Sequence, residues 1–169
     1  DLAQVSEMVH QDQLTGALNR RGLDEAFNRE ATRADRSRTP VCIALLDIDN
    51  FKRINDTMGH HAGDEVLVHL SQVIKEALRP TDSVARYGGE EFAAILPDCN
   101  LKDAMAIIDD IRQRMAAMHF TQDGKQFSVT LSAGLVSMER YFEATSLLAA
   151  ADAALYSAKH NGRNQVICG

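Results

Sequence analysis

The run VCIALL, residues 41–46, carries no polar side chain on either of its alternating faces. Successive residues of a strand point to opposite sides of a sheet, so a strand of this composition must be covered by protein on both. Three stripes at helical spacing can supply that cover. They contain Val66, Leu67, Leu70 and Ile74, then Ala104, Ile108, Ile111 and Met115, then Leu147, Ala151, Leu155 and Ala158. Further strands are predicted at 84–87 and 92–96 as a hairpin, over the alternating segment 127–136, and in a short ending at 165–168. The order strand, helices, hairpin, helix, strand, helix predicts an α/β (α+β) sandwich, a mixed central sheet flanked by helices. A chain of 169 residues is long enough for one such core.

The charge balance narrows what this core can serve. A net charge of −6 offers no basic face for a nucleic-acid polymer, so the expected partner is a small anion held by a few local cations or a metal. Cys42, Cys99 and Cys168 are odd in number and far apart, which argues against a disulfide framework or a zinc knuckle. No run approaches the ~18 apolar residues of a membrane span, and residues 1–20 lack a signal-peptide core, so a cytoplasmic protein is expected. Because the chain starts at Asp1 without methionine, it is expected to be a piece of a longer protein. Residues 2–11, with Leu2, Val5 and Val9, predict a weakly amphipathic helix spaced like a coiled-coil tail.

Two clusters of carboxylates stand out. In SVARYGGEEFAAILP, Gly88-Gly89 suits a two-residue primed turn with both glycines at positive φ, and Glu90 and Glu91 follow at once. Adjacent like charges at a buried edge resist desolvation unless a cation compensates them, although such a pair also fits a solvated hairpin tip. Asp47 and Asp49, in LLDIDNFKRIND, lie at the carboxyl end of the central strand and alternate onto one face. That end of an open α/β sheet is where ligands sit. Hard oxygen donors without histidine or cysteine suit Mg²⁺ rather than zinc.

Five segments together resemble one family. DQLTGALNRR (12–21), LLDIDNFKRINDTMGHHAGDEVL (45–67), ARYGGEEF (85–92), SVTLSAG (128–134) and ADAALYSAKHNGRN (151–164) are similar, in order and spacing, to the GGDEF domain of diguanylate cyclases. The resemblance covers the chain from residue 12 to 169, leaving 1–11 as the end of a signalling or linker helix. It implies a core like that of nucleotidyl cyclases and polymerase palms, which is ferredoxin-like. It also implies a reaction, the condensation of two GTP into cyclic di-GMP with release of two pyrophosphates at the interface of two domains.

The same resemblance assigns residues. Asp47, the backbone carbonyl of Ile48, and Glu90 match the metal site, for Mg²⁺ with Mn²⁺ as an alternative, and Glu90 stands where many relatives carry aspartate. Asp47, Glu90 and Glu91 form the catalytic set. Glu91 is either a second-metal ligand or the group that helps activate the 3′-hydroxyl, and Asp49 either touches metal or is a satisfied carboxylate beside it. Lys52, Lys159 and Arg163 match the triphosphate positions, with the N–H groups of residues 50–52 at a helix start. Asn55 and Asp64 match the guanine edge, with Phe51, His60, Gly88 and Gly89 around the nucleotide. A carboxylate accepts from guanine N1–H and N2–H₂ together, so GTP is expected over ATP. In RPTD, Arg79 and Asp82 match the RxxD site through which the cyclic di-GMP product inhibits, although Arg-Pro also reads as a helix ending. Arg112 and Arg114 are candidates for a further arginine there. The implied partners are GTP, the product as an allosteric inhibitor, a second copy of the domain, and an N-terminal sensor. The alternative reading is an inactive GGDEF domain that serves as a GTP or cyclic di-GMP receptor.

Overall fold

The computed structural model describes residues 10–138 and 144–169; the predicted N-terminal helix therefore lies almost wholly outside the described residues. The elements are α1 (Arg20–Ser37), β1 (Val41–Ile48), α2 (Phe51–Met58), α3 (His60–Ala77), β2 (Ser83–Arg86), β3 (Glu91–Pro97), α4 (Leu101–Ala117), β4 (Phe120–Gln122), β5 (Lys125–Phe127), β6 (Leu131–Met138), α5 (Ala144–His160) and β7 (Val166–Cys168). The main sheet has the order β2-β3-β1-β6-β7, antiparallel except for the parallel β6–β7 pair. It is mixed, as predicted, with β1 at its centre.

The apolar run at β1 explains the layering. Cys42, Ala44, Leu46 and Ile48 face one core with Leu67 and Leu70 of α3 and Ile108 and Ile111 of α4. Val41, Ile43 and Leu45 face the other, with Leu23, Phe27 and Ala34 of α1 and Ala151 and Leu155 of α5. Helix α5 lies so close that a Cβ on Gly134 of β6 would collide with the backbone at Ala151 and Leu155. Helix α1 does not stand out in the sequence because much of its buried face is alanine, which marks helical periodicity only faintly.

Two local expectations are corrected. The segment predicted as a strand over 127–136 divides: Phe127 closes the small β4–β5 hairpin by stacking on Phe120, and β6 begins only at Leu131. The hairpin between β2 and β3 is not a primed two-residue turn, since neither Gly88 nor Gly89 has positive φ. The chain instead crosses over residues 87–90, with the Tyr87 and Gly88 N–H groups donating to Glu91 O at 2.8 and 3.2 Å. The Arg86 guanidinium clamps the turn from below, donating to Gly89 O at 2.8 and 3.2 Å. Arg86 also approaches Asp12 at 3.4 Å, so the hairpin is strapped to the first turn of the domain.

Candidate active site

Sheet register brings the carboxylates together. Asp47, at the end of β1, pairs across the ladder with Glu91 on one side and Ser132 on the other. Ile48 N–H donates to Glu90 O at 3.3 Å, so the backbone of the GGEE turn is stitched to the β1 terminus. Burial pushes the Glu91 pKa up to about 7, and the facing Asp47, with Asp152 of α5 and Glu90, pushes in the same direction. Asp152 is an acid that spacing alone does not place here.

One cation answers this charge. Lys159 Nζ lies 2.8 Å from Asp47 Oδ1 and 2.7 Å from Asp49 Oδ1. Asp49, just past β1, is 4% exposed, so the reading of it as a satisfied carboxylate fits the geometry. The expectation that Asp47 and Asp49 share a face agrees with their shared lysine.

The residues expected at the phosphates lie at the start of α2, at the end of α5 and in the turn after it. Asn50, φ 57°, precedes α2 and makes no side-chain capping bond, which leaves the first-turn N–H groups of α2 outside the helical ladder. Lys52 is exposed in that turn, and Arg163 is exposed in the turn after α5 with φ 63°. The Asn55 side chain and the Phe51 ring pack on Gly63, where a Cβ would strike Asn55 Oδ1, and Asp64 follows as an exposed carboxylate. His60 is exposed at the start of α3, after Gly59 at φ 92°. A groove of about 420 Å³ opens on the opposite face of α2, lined by Arg53, Ile54, Thr57, Phe127 and Thr130.

Arg79 and Asp82 sit elsewhere, at the far end of β3, roughly 20 Å from Glu91 at the rise of a strand. They bind each other: Arg79 Nη2 donates to Asp82 Oδ1 at 2.7 Å, Arg79 N to Asp82 Oδ2 at 2.8 Å, and Arg79 Nη2 to Pro97 O at 2.6 Å. Asp98 lies beside them, with Arg33 of α1 on its carboxylate at 2.6 Å, a cation the sequence did not bring to this corner. Of the two candidate arginines on α4, Arg114 approaches Glu76 of α3, three residues before Arg79, whereas Arg112 donates to Asn164 Oδ1 in the turn that carries Arg163.

Among the described residues no three His, Cys, Asp or Glu side chains form a closed metal cage. The acid pair nevertheless suits a hard divalent cation: two carboxylates meet at a strand end, one of them driven towards protonation by its neighbours, with a lysine ammonium against the other.

The family profile described as "Diguanylate cyclase, GGDEF domain" matches residues 9–165. Diguanylate cyclase DgcP of Pseudomonas aeruginosa is 40% identical over 92% of this chain, which spans 23% of that relative's length. The crystal structure of the coiled coil and GGDEF domain of DgcB from Caulobacter crescentus, in complex with c-di-GMP, superposes with a TM-score of 0.95 at 33% identity, covering 99% of this chain and 90% of that one. The active GGEEF domain of a diguanylate cyclase from Vibrio cholerae superposes with a TM-score of 0.83 at 36% identity, covering 92% and 97%. A likeness in sequence and fold over nearly the whole chain, with the acids of the signature at the end of β1 and in the β2–β3 turn, places the chain in the GGDEF domain family of diguanylate cyclases.

Proposed function

We propose that this domain condenses two GTP into cyclic di-GMP, as the catalytic module, residues 12–169, of a longer protein with an N-terminal sensor. The observation that carries the reading is the Asp47–Glu91 pair with Lys159 across it, a cluster of acids in which burial and like charge push the Glu91 pKa up and which a divalent cation would relieve. The Vibrio cholerae relative, an active GGEEF domain, supports glutamate at position 90. Incubation with GTP and Mg²⁺, followed by chromatography of the nucleotides, tests it. Cyclic di-GMP and pyrophosphate are expected, and unconsumed GTP at high enzyme concentration would favour the inactive receptor.

In this reading Asp47, the Ile48 carbonyl and Glu90 hold Mg²⁺, or Mn²⁺ in its place. When bound, such a cation supplies charge neutralisation at the α-phosphate and eases deprotonation of the 3′-hydroxyl. Glu91, with a pKa near neutrality, accepts the 3′-hydroxyl proton. The freed oxygen bonds to the α-phosphorus of the other GTP, and the bond to pyrophosphate breaks. Lys52, Lys159 and Arg163 hold the phosphates, while Asn55 and Asp64 read guanine. No described helix is long and apolar enough to cross a membrane, and a reaction that consumes GTP fits a cytoplasmic domain.

The Glu91 pKa sets a pH dependence. Its ordinary value is 4.5 and its folded value about 7, so the folded domain binds the extra proton and loses stability as pH rises from about 4.5 through 7. A cation held beside Glu91 by Asp47 and Glu90 should bind better as this proton leaves, that is, as pH rises. The Mg²⁺-induced rise in melting temperature is therefore expected to be larger at pH 8 than at pH 6, and to lose that difference in Glu91→Gln. An equal rise at both pH values removes Glu91 from the cation's surroundings.

Arg79 and Asp82 are proposed as a product site that inhibits. Cyclic di-GMP must replace the mutual Arg79–Asp82 bonds, with arginine reading guanine O6 and N7 and aspartate reading N1 and N2. Arg79→Ala is expected to leave initial rates within about twofold and to abolish late slowing of the progress curve, since the site is a β-strand's length from the acids. A plateau at the parent's product concentration would mean that the pair only ends α3.

A further inference from the structure

Asp49 belongs to no ligand set above, yet four donors converge on its buried carboxylate. Oδ1 accepts from Ser132 Oγ and Lys159 Nζ, both at 2.7 Å, and Oδ2 accepts from Thr130 Oγ1 at 2.7 Å and Asn164 N at 3.1 Å. The donors come from β6 and the residue just before it, from α5 and from the turn after α5. That turn is strained: Gly162, Arg163 and Asn164 have φ of 110°, 63° and 47° in succession. Left-handed backbone at non-glycine residues persists only where surrounding contacts hold it. Here Asn164 N–H is held by Asp49 and by Ser132 Oγ at 3.1 Å, and Asn164 Oδ1 by Arg112 Nη1 at 2.9 Å.

We propose that Asp49 is a positioning residue that aims Lys159 and Arg163 at the nucleotide phosphates without touching them. The inference rests on the reading of those two cations as phosphate ligands. Lys159 now spans Asp47 and Asp49 at nearly equal distances. Once Asp47 is engaged by the substrate complex, Asp49 remains as the anchor that keeps the ammonium at the end of β1. The same carboxylate holds the Asn164 amide, so the backbone that displays Arg163 is fixed by one group together with Lys159. An unanchored lysine and a relaxed turn would each have to be ordered on binding, which weakens affinity.

A double-mutant cycle on binding tests this. The probe is 3′-deoxy-GTP with Mg²⁺, which binds but has no hydroxyl with which to react, and affinity is measured by titration calorimetry for wild type, Asp49→Asn, Lys159→Met and the double variant. Lys159→Met is expected to weaken binding about tenfold in the wild-type background and less than about twofold in Asp49→Asn, the signature of coupled neighbours. Equal losses in both backgrounds overturn the proposal. Asp49→Glu, which keeps the charge but displaces it by a methylene, is expected not to restore affinity, and restoration overturns a role in aim. If Asp49→Asn fails to fold, Ser132→Ala strips the other donor from the oxygen that Lys159 uses and runs in the same cycle, with the same reading of coupling or additivity. Wild type that does not bind 3′-deoxy-GTP refutes the nucleotide reading itself, whereas binding with additive losses refutes only the role of Asp49.

Discussion

Replacing Glu90 by glutamine is expected to lower cyclic di-GMP formation by about 10²–10⁴-fold, the loss of roughly 3–5 kcal/mol of charge stabilisation at the α-phosphate. The substitution keeps the shape of the side chain and removes its charge. Glu90 is half-exposed in the turn, and its backbone carbonyl, which receives Ile48 N–H at 3.3 Å, is untouched. Unfolding free energy should therefore change by less than about 0.5 kcal/mol. Turnover within a few-fold of the parent, with the same Mg²⁺ dependence, would show that Glu90 does not hold the cation. Loss of both activity and fold would point instead to a structural use of the turn, a result that the strap from Arg86 to Gly89 O makes testable by a parallel unfolding curve for Arg86→Gln.

The second large effect follows from stoichiometry. On the proposed function each domain presents one phosphate cradle, Lys52 with Lys159 and Arg163, whereas the product needs two GTP with each 3′-hydroxyl aimed at the other's α-phosphate. Two copies must meet face to face, and the symmetric solution is a two-fold pair. Without a tether to raise effective concentration, specific activity should rise in proportion to enzyme concentration, about a hundredfold over a hundredfold range while monomer dominates. Mixing wild type with Glu90→Gln sharpens the test. A hybrid pair has one competent cation site and closes one of the two phosphodiester bonds, so linear pppGpG should accumulate. Flat specific activity across the range, with only cyclic product from hybrids, would sink the half-site mechanism.

Much of the architecture was legible because burial is written locally. A strand with no polar face, VCIALL, had to be central, and it is. The stripes through Leu67 and Leu70, through Ile108 and Ile111, and through Ala151 and Leu155 had to be helices that cover it, and they lie on its two faces as α3 and α4, and as α5. Helix α1 escaped because half of its buried residues are alanine. The hairpin was found and its turn was misjudged: glycine permits left-handed backbone without requiring it, and the Arg86 clamp on Gly89 O selects another course.

For the candidate site, the amino-acid sequence by itself determined the family, the acids and cations that match its signature, and the positions of those residues at strand ends and helix starts. Tertiary structure alone decided what each of them faces. Lys159 reaches Asp49 across 110 residues and Arg86 reaches Asp12 across 74, partnerships that periodicity cannot encode because they depend on sheet register and on the angle at which helices cross the sheet. Asp49 shows the difference most plainly. Spacing puts it beside Asp47, two residues away at the same strand end, and both reach Lys159, but only Asp49 is also enclosed by Thr130, Ser132 and the Asn164 amide, whereas Asp47 faces Glu91 across the β1–β3 ladder.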